Sequence, residues 1–491
     1  MDNLMSFQNS NKQTILLLAY EVETFVMSDL ATRLTKQGKK VVILQCDTWS
    51  FTDNTNFESI HENKDYTLIT LEPIFRSLGK SKIIKSIELN QWLEKIDLKD
   101  VFRSDPLLCD YRHNRNYRMN TDFNLKKEFI EKVIALFIVI QNEHNFDKVI
   151  TFNNNYSTKN IAFQFFSNLE IEFLTILPTR VSNYYGAYLD FGKGGNLSEE
   201  KKFCSDTEAI LIRDEFKHRI RNFNCSYSGH LEVLNFASQF LKKKLKDNIS
   251  FIGYLISILR KRPKRFFEKI HLSPSLMQIF RHEVIVSTFK FFQWNFFKFD
   301  IDTLENKKFV FYPLQCTPES TILTFSSVVS EINFAMDLAN NLPLDTYLVV
   351  KEHPAMIGIR DIKDYYKLKE IDNIILKHPL DDNDQFMLSC IHVITQCGTI
   401  GLEAAVLNKP CTCIGKTDFS TLEGVNCKLD NIDLINNYCN DGNESVDEFL
   451  KRVITHSIKL DSKAILYDPF KKNFNRKNWK LEVDKMYELI K

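Results

Sequence analysis

Residues Thr395–Ala404 read TQCGTIGLEA, a short polar turn with two glycines between an apolar run and a helix-spaced one. Only 14 of the 491 residues are glycine, yet Gly398, Gly401, Gly415 and Gly424 fall within 27 positions. Glycine serves where backbone turns tightly or approaches a neighbour closely. His392–Thr395 ahead of the turn reads as a strand, and Ile400–Leu407 behind it as a helix. The expectation is a Gly398 with positive φ and a Thr399 that caps the helix, whose first N–H groups favour an anion. Glu403, one turn in, is placed to accept from ribose hydroxyls. The plainer alternative is a strand-to-helix turn with Thr399 merely capping.

Working outward, the same alternation extends on both sides. Phe309–Pro313, Thr346–Lys351 (TYLVVK), Ile374–Ile375, His392–Thr395 and Pro410–Ile414 read as strands, with helices at Ser330–Asn340, Asp384–Ser389 and Ile400–Leu407. Strands alternating with helices predict a parallel sheet with right-handed crossovers. Ligands bind such sheets at the carboxyl ends of the strands. Three loops fall there: Pro313–Ser320, Lys351–Gly358 and Gln396–Thr399. They supply Gln315 and, from the following TPES (also an ordinary helix start), Glu319, then Lys351, His353 and Pro354 from KEHP, then Gln396, Gly398 and Thr399. Pro354 keeps His353 out of helical geometry. A histidine at that strand end can donate to a phosphate and to the charge that develops on a leaving nucleotide, and Lys351 adds a cation. Alternatively, KEHP is a loop whose histidine satisfies backbone carbonyls.

The first half opens the same way. Thr14–Tyr20 (TILLLAY) and Lys40–Cys46 (KVVILQC) are strand-like around a helix from Glu23 to Gln37 that stops at Gly38. No GxGxxG fingerprint accompanies them. After a polar, irregular stretch from Asp53 to Asp105 with two helices, a helix at Leu125–Gln141 precedes a strand at Lys148–Phe152. The Asn153-Asn154-Asn155 loop, a helix from Ser157 and a strand at Glu172–Leu177 follow.

Bulk properties narrow the class. A length of 491 residues calls for more than one core, and 44% hydrophobic with 26% charged residues is ordinary globular composition. The net charge of +1 gives no general argument for nucleic acid. Eleven cysteines without a CxxC pair, and a polar N-terminus without an apolar core, predict a reducing cytoplasm and no secretory signal. The CxC at Cys411 and Cys413 lacks partner ligands, so no metal is expected. Charge is uneven, however: Lys242–Asp300 holds 13 Lys and Arg against 4 Asp and Glu. Six phenylalanines and Trp294 crowd Phe289–Phe299. The segment 242–299 reads either as a surface for anionic lipid or as a helical insertion packing its aromatics between domains. Its apolar run Ile249–Leu259 is too short to span a bilayer, which needs ~20 residues.

Phe309–Phe419 resembles the bacterial capsular polysaccharide biosynthesis family, which includes Kdo transferases. The resemblance lies in FYPLQCTPES, in LVVKEHP with Gly358 following, and in ITQCGTIGLEAAVLNKPCTCIG, three loops agreeing in order and spacing. It implies an α/β, GT-B-like fold, two Rossmann-like domains facing a cleft, with the basic, aromatic helical insertion between them. The domains would be 1–204 for the acceptor, 205–304 as linker or insertion, 305–470 for the nucleotide sugar, and 471–491 as a C-terminal helix. It further implies metal-independent transfer from a nucleotide-sugar donor, CMP-linked in the Kdo-transferring members, to a glycan or glycolipid acceptor. No cofactor beyond that co-substrate is implied, and the location would be cytoplasmic, at the inner face of the membrane. Residue by residue, His353-Pro354 would contact donor phosphate, with Gly398 and Thr399 as the glycine-threonine loop and Glu403 behind them. Many relatives carry an Asn-Gly loop and a later glutamate where this chain has Asn153-Asn154-Asn155 and Leu177-Pro178. An inverting transfer needs a base for the acceptor hydroxyl. Glu21 and Glu23, just after the first strand, are candidates, although both also suit a helix N-terminus; Asp190 and Asp105–His113 are alternatives. A polyol-phosphate transferase, a sugar-nucleotide epimerase and an inactive assembly partner are the rival readings.

Overall fold

The computed structural model describes residues 13–20, 23–46, 65–77, 79, 86–104, 123–154, 156–181, 183–192, 197–201, 204–221, 297–300, 304–317, 322, 326, 330–356, 360–379, 381–415, 417–426, 442–461, 465 and 475–491. Glu21, Glu319, Asp105–His113 and most of the basic, aromatic segment therefore lie outside the described residues.

Strand β1 (Thr14–Ala19) is buried throughout, as its unbroken apolar sequence requires of a strand covered on both faces. Ile15, Leu17 and Ala19 face one core with helix α1 (Glu23–Lys36), while Leu16 and Leu18 face another. The chain continues through β2 (Lys40–Gln45), β3 (Thr67–Thr70), α2 (Glu72–Ser77), α3 (Ile87–Lys95), α4 (Leu98–Ser104), α5 (Phe123–His144), β4 (Lys148–Phe152), α6 (Ser157–Ser167), β5 (Glu172–Pro178) and β6 (Tyr184–Tyr188). Helix α7 (Asp206–Arg221) follows.

The second half is built from β7 (Lys308–Pro313), α8 (Glu331–Asn340), β8 (Thr346–Lys351), α9 (Ile362–Lys369), β9 (Ile374–Lys377), α10 (Asn383–Ser389), β10 (His392–Thr395), α11 (Ile400–Val406), β11 (Cys411–Cys413), β12 (Val425–Asn426) and α12 (Val446–Thr455). Strand β13 (Ser457–Lys459) and helix α13 (Arg476–Ile490) end it. Val310 and Tyr312 pack towards α8 and α9, whereas Phe309 and Phe311 pack towards α10, α11 and α12.

Two sheets result. The first runs β13-β6-β5-β4-β1-β2-β3, and the second β12-β11-β10-β7-β8-β9. All pairings in the second are parallel. In chain order that is 6-5-4-1-2-3, the doubly wound order of dinucleotide-binding domains. Both halves are thus Rossmann-like, and the expected α/β architecture of two such domains holds.

Three features differ from the sequence reading. The irregular stretch before Asp105 contains the edge strand β3, parallel to β2. Strand β6, unmarked by any alternation in YYGAY, pairs antiparallel with β5. Strand β13, inside the stretch given to the C-terminal domain, pairs antiparallel with β6 in the first sheet. Helix α13 then packs Trp479, Val483, Met486 and Ile490 into the first core, so the chain's end returns to the domain where it began. Conversely, α7 contributes Ala209 and Phe216 to the core of the second half. At the end of the aromatic run, Phe297 packs on Tyr365 with ring centroids 5.2 Å apart, and Phe299 on His378 at 5.0 Å. Those two half-buried rings pack against the core of the second half. Among the described residues no helix is long and apolar enough to cross a membrane.

Candidate functional site

The order of the second sheet places its topological switch point between β7 and β10, where a doubly wound sheet opens its ligand crevice. Gln315, just past β7, donates from Nε2 to Thr395 Oγ1 at the end of β10 (3.4 Å) and to Pro313 O (3.3 Å). Thr395 Oγ1 also accepts the Gly398 N–H at 3.2 Å. The turn is therefore shaped by a threonine side chain. Gly398 is not among the residues of positive φ, which corrects the expectation. It is glycine because a Cβ would stand 3.0 Å from both Gln315 Nε2 and Thr395 Oγ1. Thr399 occupies the N-cap position of α11 with helical angles (φ −57, ψ −21), and its side chain makes no capping bond. It is exposed, and Glu403 is half-buried one turn on. Gly401 has a packing reason, since a Cβ there would lie 2.7 Å from the buried Phe419 ring.

Next to β7, strand β8 ends in Lys351, followed by Glu352, His353 and a short 3-10 turn at Pro354–Met356. Lys351 is buried and lies opposite Lys377 in register. His353 is half-buried, and its backbone N–H donates to its neighbour Glu352 Oε1 at 2.6 Å. Beneath these loops lies a buried ionic network that the sequence reading missed. Arg360 reaches Glu352 Oε2 at 2.6 Å through Nε, and Glu331 Oε2 at 3.0 Å and Gln315 O at 3.1 Å through Nη2. Tyr365 donates to Glu352 Oε2 at 2.7 Å. Glu331 accepts the Gln315 N–H and the Thr317 hydroxyl, both at 2.7 Å. Burial works against charge on Arg360, but the two carboxylates outweigh it and raise its pKa. Burial raises Glu331 in spite of the arginine. One guanidinium thus ties the loop after β7 to the loop after β8. Of its members, Glu352 in KEHP and Gln315 and Thr317 in the loop after β7 lie within the candidate loops, whereas Glu331, Arg360 and Tyr365 lie outside them.

Gln396 is fully buried; its Nε2 donates to the Tyr312 hydroxyl at 3.3 Å, and its Oε1 has no hydrogen-bond partner among the described residues. Its backbone carbonyl accepts the Gly415 N–H (2.6 Å) and the Cys413 thiol (3.3 Å), which joins β10 to β11. Cys411 and Cys413 are both buried in β11. Among the described residues no group of three or more His, Cys, Asp and Glu is placed to hold a metal ion.

At the other end of β10, His392 shares a 2.9 Å hydrogen bond with Thr412, and burial lowers its pKa from 6.5 to about 4. A folded pKa below the unfolded one means the fold prefers the neutral ring. Its stabilising contribution is complete above pH 6.5 and is lost as pH falls towards 4. The expected loss is about 2 kcal/mol by pH 5. Denaturation at pH 7.5 and pH 5 should show it in the native protein and a shallower dependence in His392→Gln.

In the first half, Glu23 is buried at the start of α1. Its Oε2 accepts the Tyr20 N–H (3.0 Å) and the Lys159 ammonium (2.7 Å), and its Oε1 accepts Asn153 Nδ2 (3.1 Å). Burial raises its pKa against the opposing pull of Lys159. The carboxylate proposed as a base is thus tied to three donors. Asp190 Oδ1 accepts the Gly192 N–H at 3.0 Å. The carboxyl edges of the two sheets approach at Arg180, after β5, and Asp418, after β11, which lie 3.9 Å apart. Burial raises the Asp418 pKa and Arg180 counters it.

The switch-point crevice and its three loops coincide with a match to a known family. Residues 295–441 match the model of the capsule polysaccharide biosynthesis protein family. The matched span covers β7 to β12 and every loop of the second-domain site. No curated protein matches the chain. Among solved structures, the beta Kdo 2,7 transferase KpsC of Thermosulfurimonas dismutans is 13% identical, with 75% of this chain and 97% of that one covered and a TM-score of 0.32. A UDP-GlcNAc 2-epimerase from Neisseria meningitidis bound to UDP-GlcNAc is 12% identical (90% and 98% covered, TM-score 0.26). Sucrose-phosphate synthase of Thermosynechococcus elongatus is 10% identical (98% of each, TM-score 0.27). Scores this low assign no activity to this chain.

Proposed function

We propose that the protein is a glycosyltransferase of surface-polysaccharide assembly, which moves a sugar from a nucleotide-activated donor to a glycan or glycolipid acceptor. The observation that carries this reading is a coincidence of place. The capsule-biosynthesis match spans the loops after β7, β8 and β10; Thr395 joins Gln315 to the turn at Gly398, and Arg360 ties the loop of Gln315 to that of Glu352 and His353. In the proposed complex the donor's phosphates lie along these loops, with the His353 side chain donating to the phosphate that leaves. Lys351 contributes positive potential from the end of β8. The Arg360 network holds the loops in place and touches no substrate.

CMP is the first nucleotide to test, because it is the carrier in the Kdo-transferring members that the sequence resembles. The expected result is a melting temperature that rises with one nucleotide among CMP, UDP, GDP and CDP, as mass action requires of a ligand that binds only the folded state. The matching nucleotide sugar should then release free nucleotide faster when acceptor glycan is added. Conversion of the nucleotide sugar without release would identify an epimerase. No shift with any of the four and no turnover would identify an inactive assembly partner.

A further inference from the structure

The first sheet has a switch point of its own. Its strands run β1-β2-β3 to one side and β4-β5 to the other, so the crevice between divergent loops opens at the ends of β1 and β4. Tyr20 directly follows β1, and Tyr156 lies in the loop after β4. Their rings stack with centroids 3.6 Å apart and planes 10° from parallel, and both residues are half-buried. Neither was singled out in the sequence.

Two observations show that this pair is held in place beforehand. Glu23 accepts the backbone N–H of Tyr20 and the side chain of Asn153, while Lys159 bridges Glu23 and the carbonyl of Phe152. One buried ion pair therefore ties together the two loops that carry the rings. Tyr156 also has φ +76 and ψ 141, a conformation that side chains other than glycine rarely adopt. Such strain persists where the surroundings over-determine it, and it gathers at ligand clamps. A loop that needed only to turn would place glycine here; this one keeps a tyrosine.

We propose that Tyr20 and Tyr156 form an aromatic platform that binds one pyranose ring of the acceptor glycan. This rests on the transferase reading, which gives the first domain an acceptor and the second the nucleotide. The apolar face of a pyranose carries C–H hydrogens of slight positive charge, which complement the negative face of an aromatic ring. The tyrosine hydroxyls at the ring edges can exchange hydrogen bonds with sugar hydroxyls. The partner is accordingly an uncharged face of a sugar, and not the donor's phosphate.

The test uses the full chain with oligosaccharides cut from the surface glycan of the cells that make it, binding being followed by saturation-transfer NMR and titration. Tyr20→Ala and Tyr156→Ala should each weaken glycan binding about tenfold or more, while Tyr20→Phe and Tyr156→Phe retain it. Tyr156→Gly separates binding from folding: it relieves the φ, so its melting temperature should hold or rise while glycan binding falls as in the alanine variant. The thermal shift given by nucleotide should be unchanged in all five. Alanine variants that bind glycan as the native protein does would overturn the platform, as would a native protein that binds none of the fragments. Loss of the nucleotide shift in the tyrosine variants would also overturn it, by making the rings a base stack. Glycan binding that depends on both rings, in a protein that no nucleotide shifts, would uphold the platform and remove the transferase reading.

Discussion

Arg360→Met should destabilise the second domain by about 3–5 kcal/mol, the usual consequence of removing one partner from a buried ion pair. The Glu331 and Glu352 carboxylates are 3% and 0% exposed, so neither can turn to water when the guanidinium is gone. Methionine keeps much of the volume, which confines the effect to charge and hydrogen bonds. Trp92 and Trp479 both belong to first-domain cores, so a local probe of the second domain is the better readout. Hydrogen exchange of Val310–Tyr312 and Leu348–Val350 reads the second domain directly, and exchange there should quicken strongly. Nucleotide-induced thermal shifts should shrink as well, because the loops of Gln315 and His353 lose their common anchor. Replacing all three charged residues by apolar ones of similar size should restore much of the stability without restoring nucleotide binding. That outcome would separate the network's cost from its use in holding loops. Exchange unchanged in the single variant would show that the two carboxylates tolerate its loss, and the anchoring role would fall.

The fold was legible because local and long-range signals agree. TILLLA and KVVILQ are continuous apolar runs of the length a doubly covered strand needs, and both are strands in register. TYLVVK and HVIT behave alike. Elements shaped by a neighbour were not legible. Strand β13 is three residues long, and only pairing with β6 makes it a strand. Strand β3, TLIT, lies at a sheet edge inside a polar stretch, where alternation is too brief to register.

The candidate loops were legible in the sequence, but what shapes them was not. Glycine scarcity marked the Gly398–Gly401 turn, yet the two glycines answer to close neighbours: Thr395 and Gln315 for the first, Phe419 for the second, of which Gln315 and Phe419 lie outside the turn. The sequence points to positive φ at Gly398, whereas the loop after β4 has it at Asn153 and Tyr156. The asparagine follows a known tolerance for that region; the tyrosine follows none, which is why Tyr156 had no signal. Glu331 and Arg360 are separated by a whole β-α unit, and each reads alone as an ordinary helix-start acid or loop base. Their meaning is three-dimensional.

His353→Ala should lower the rate of sugar transfer about 10²–10³-fold, the effect of deleting one donor to charge that forms in the transition state. The backbone at this position is fixed independently of the side chain. The His353 N–H is held by Glu352, and its carbonyl accepts the Met356 N–H at 2.8 Å. Loss of the imidazole should therefore leave these two backbone bonds in place. Ground-state nucleotide binding should weaken far less than the rate, because Lys351, Gln315 and the turn at Gly398 are untouched. A large fall in kcat with a modest change in the nucleotide's thermal shift is the expected signature. Loss of binding with kcat intact would make His353 a donor-affinity residue only. A transfer rate equal to that of the native protein would exclude it from the leaving-group phosphate and leave Lys351 as the nearest cation proposed for it. Glu23→Gln then tests the opposite wall: with its carboxylate bound to Lys159, Asn153 and the Tyr20 N–H, it should act by loosening the two loops of the first domain. A fall in activity from that cause appears in acceptor KM, whereas removal of a base appears in kcat across the whole pH range.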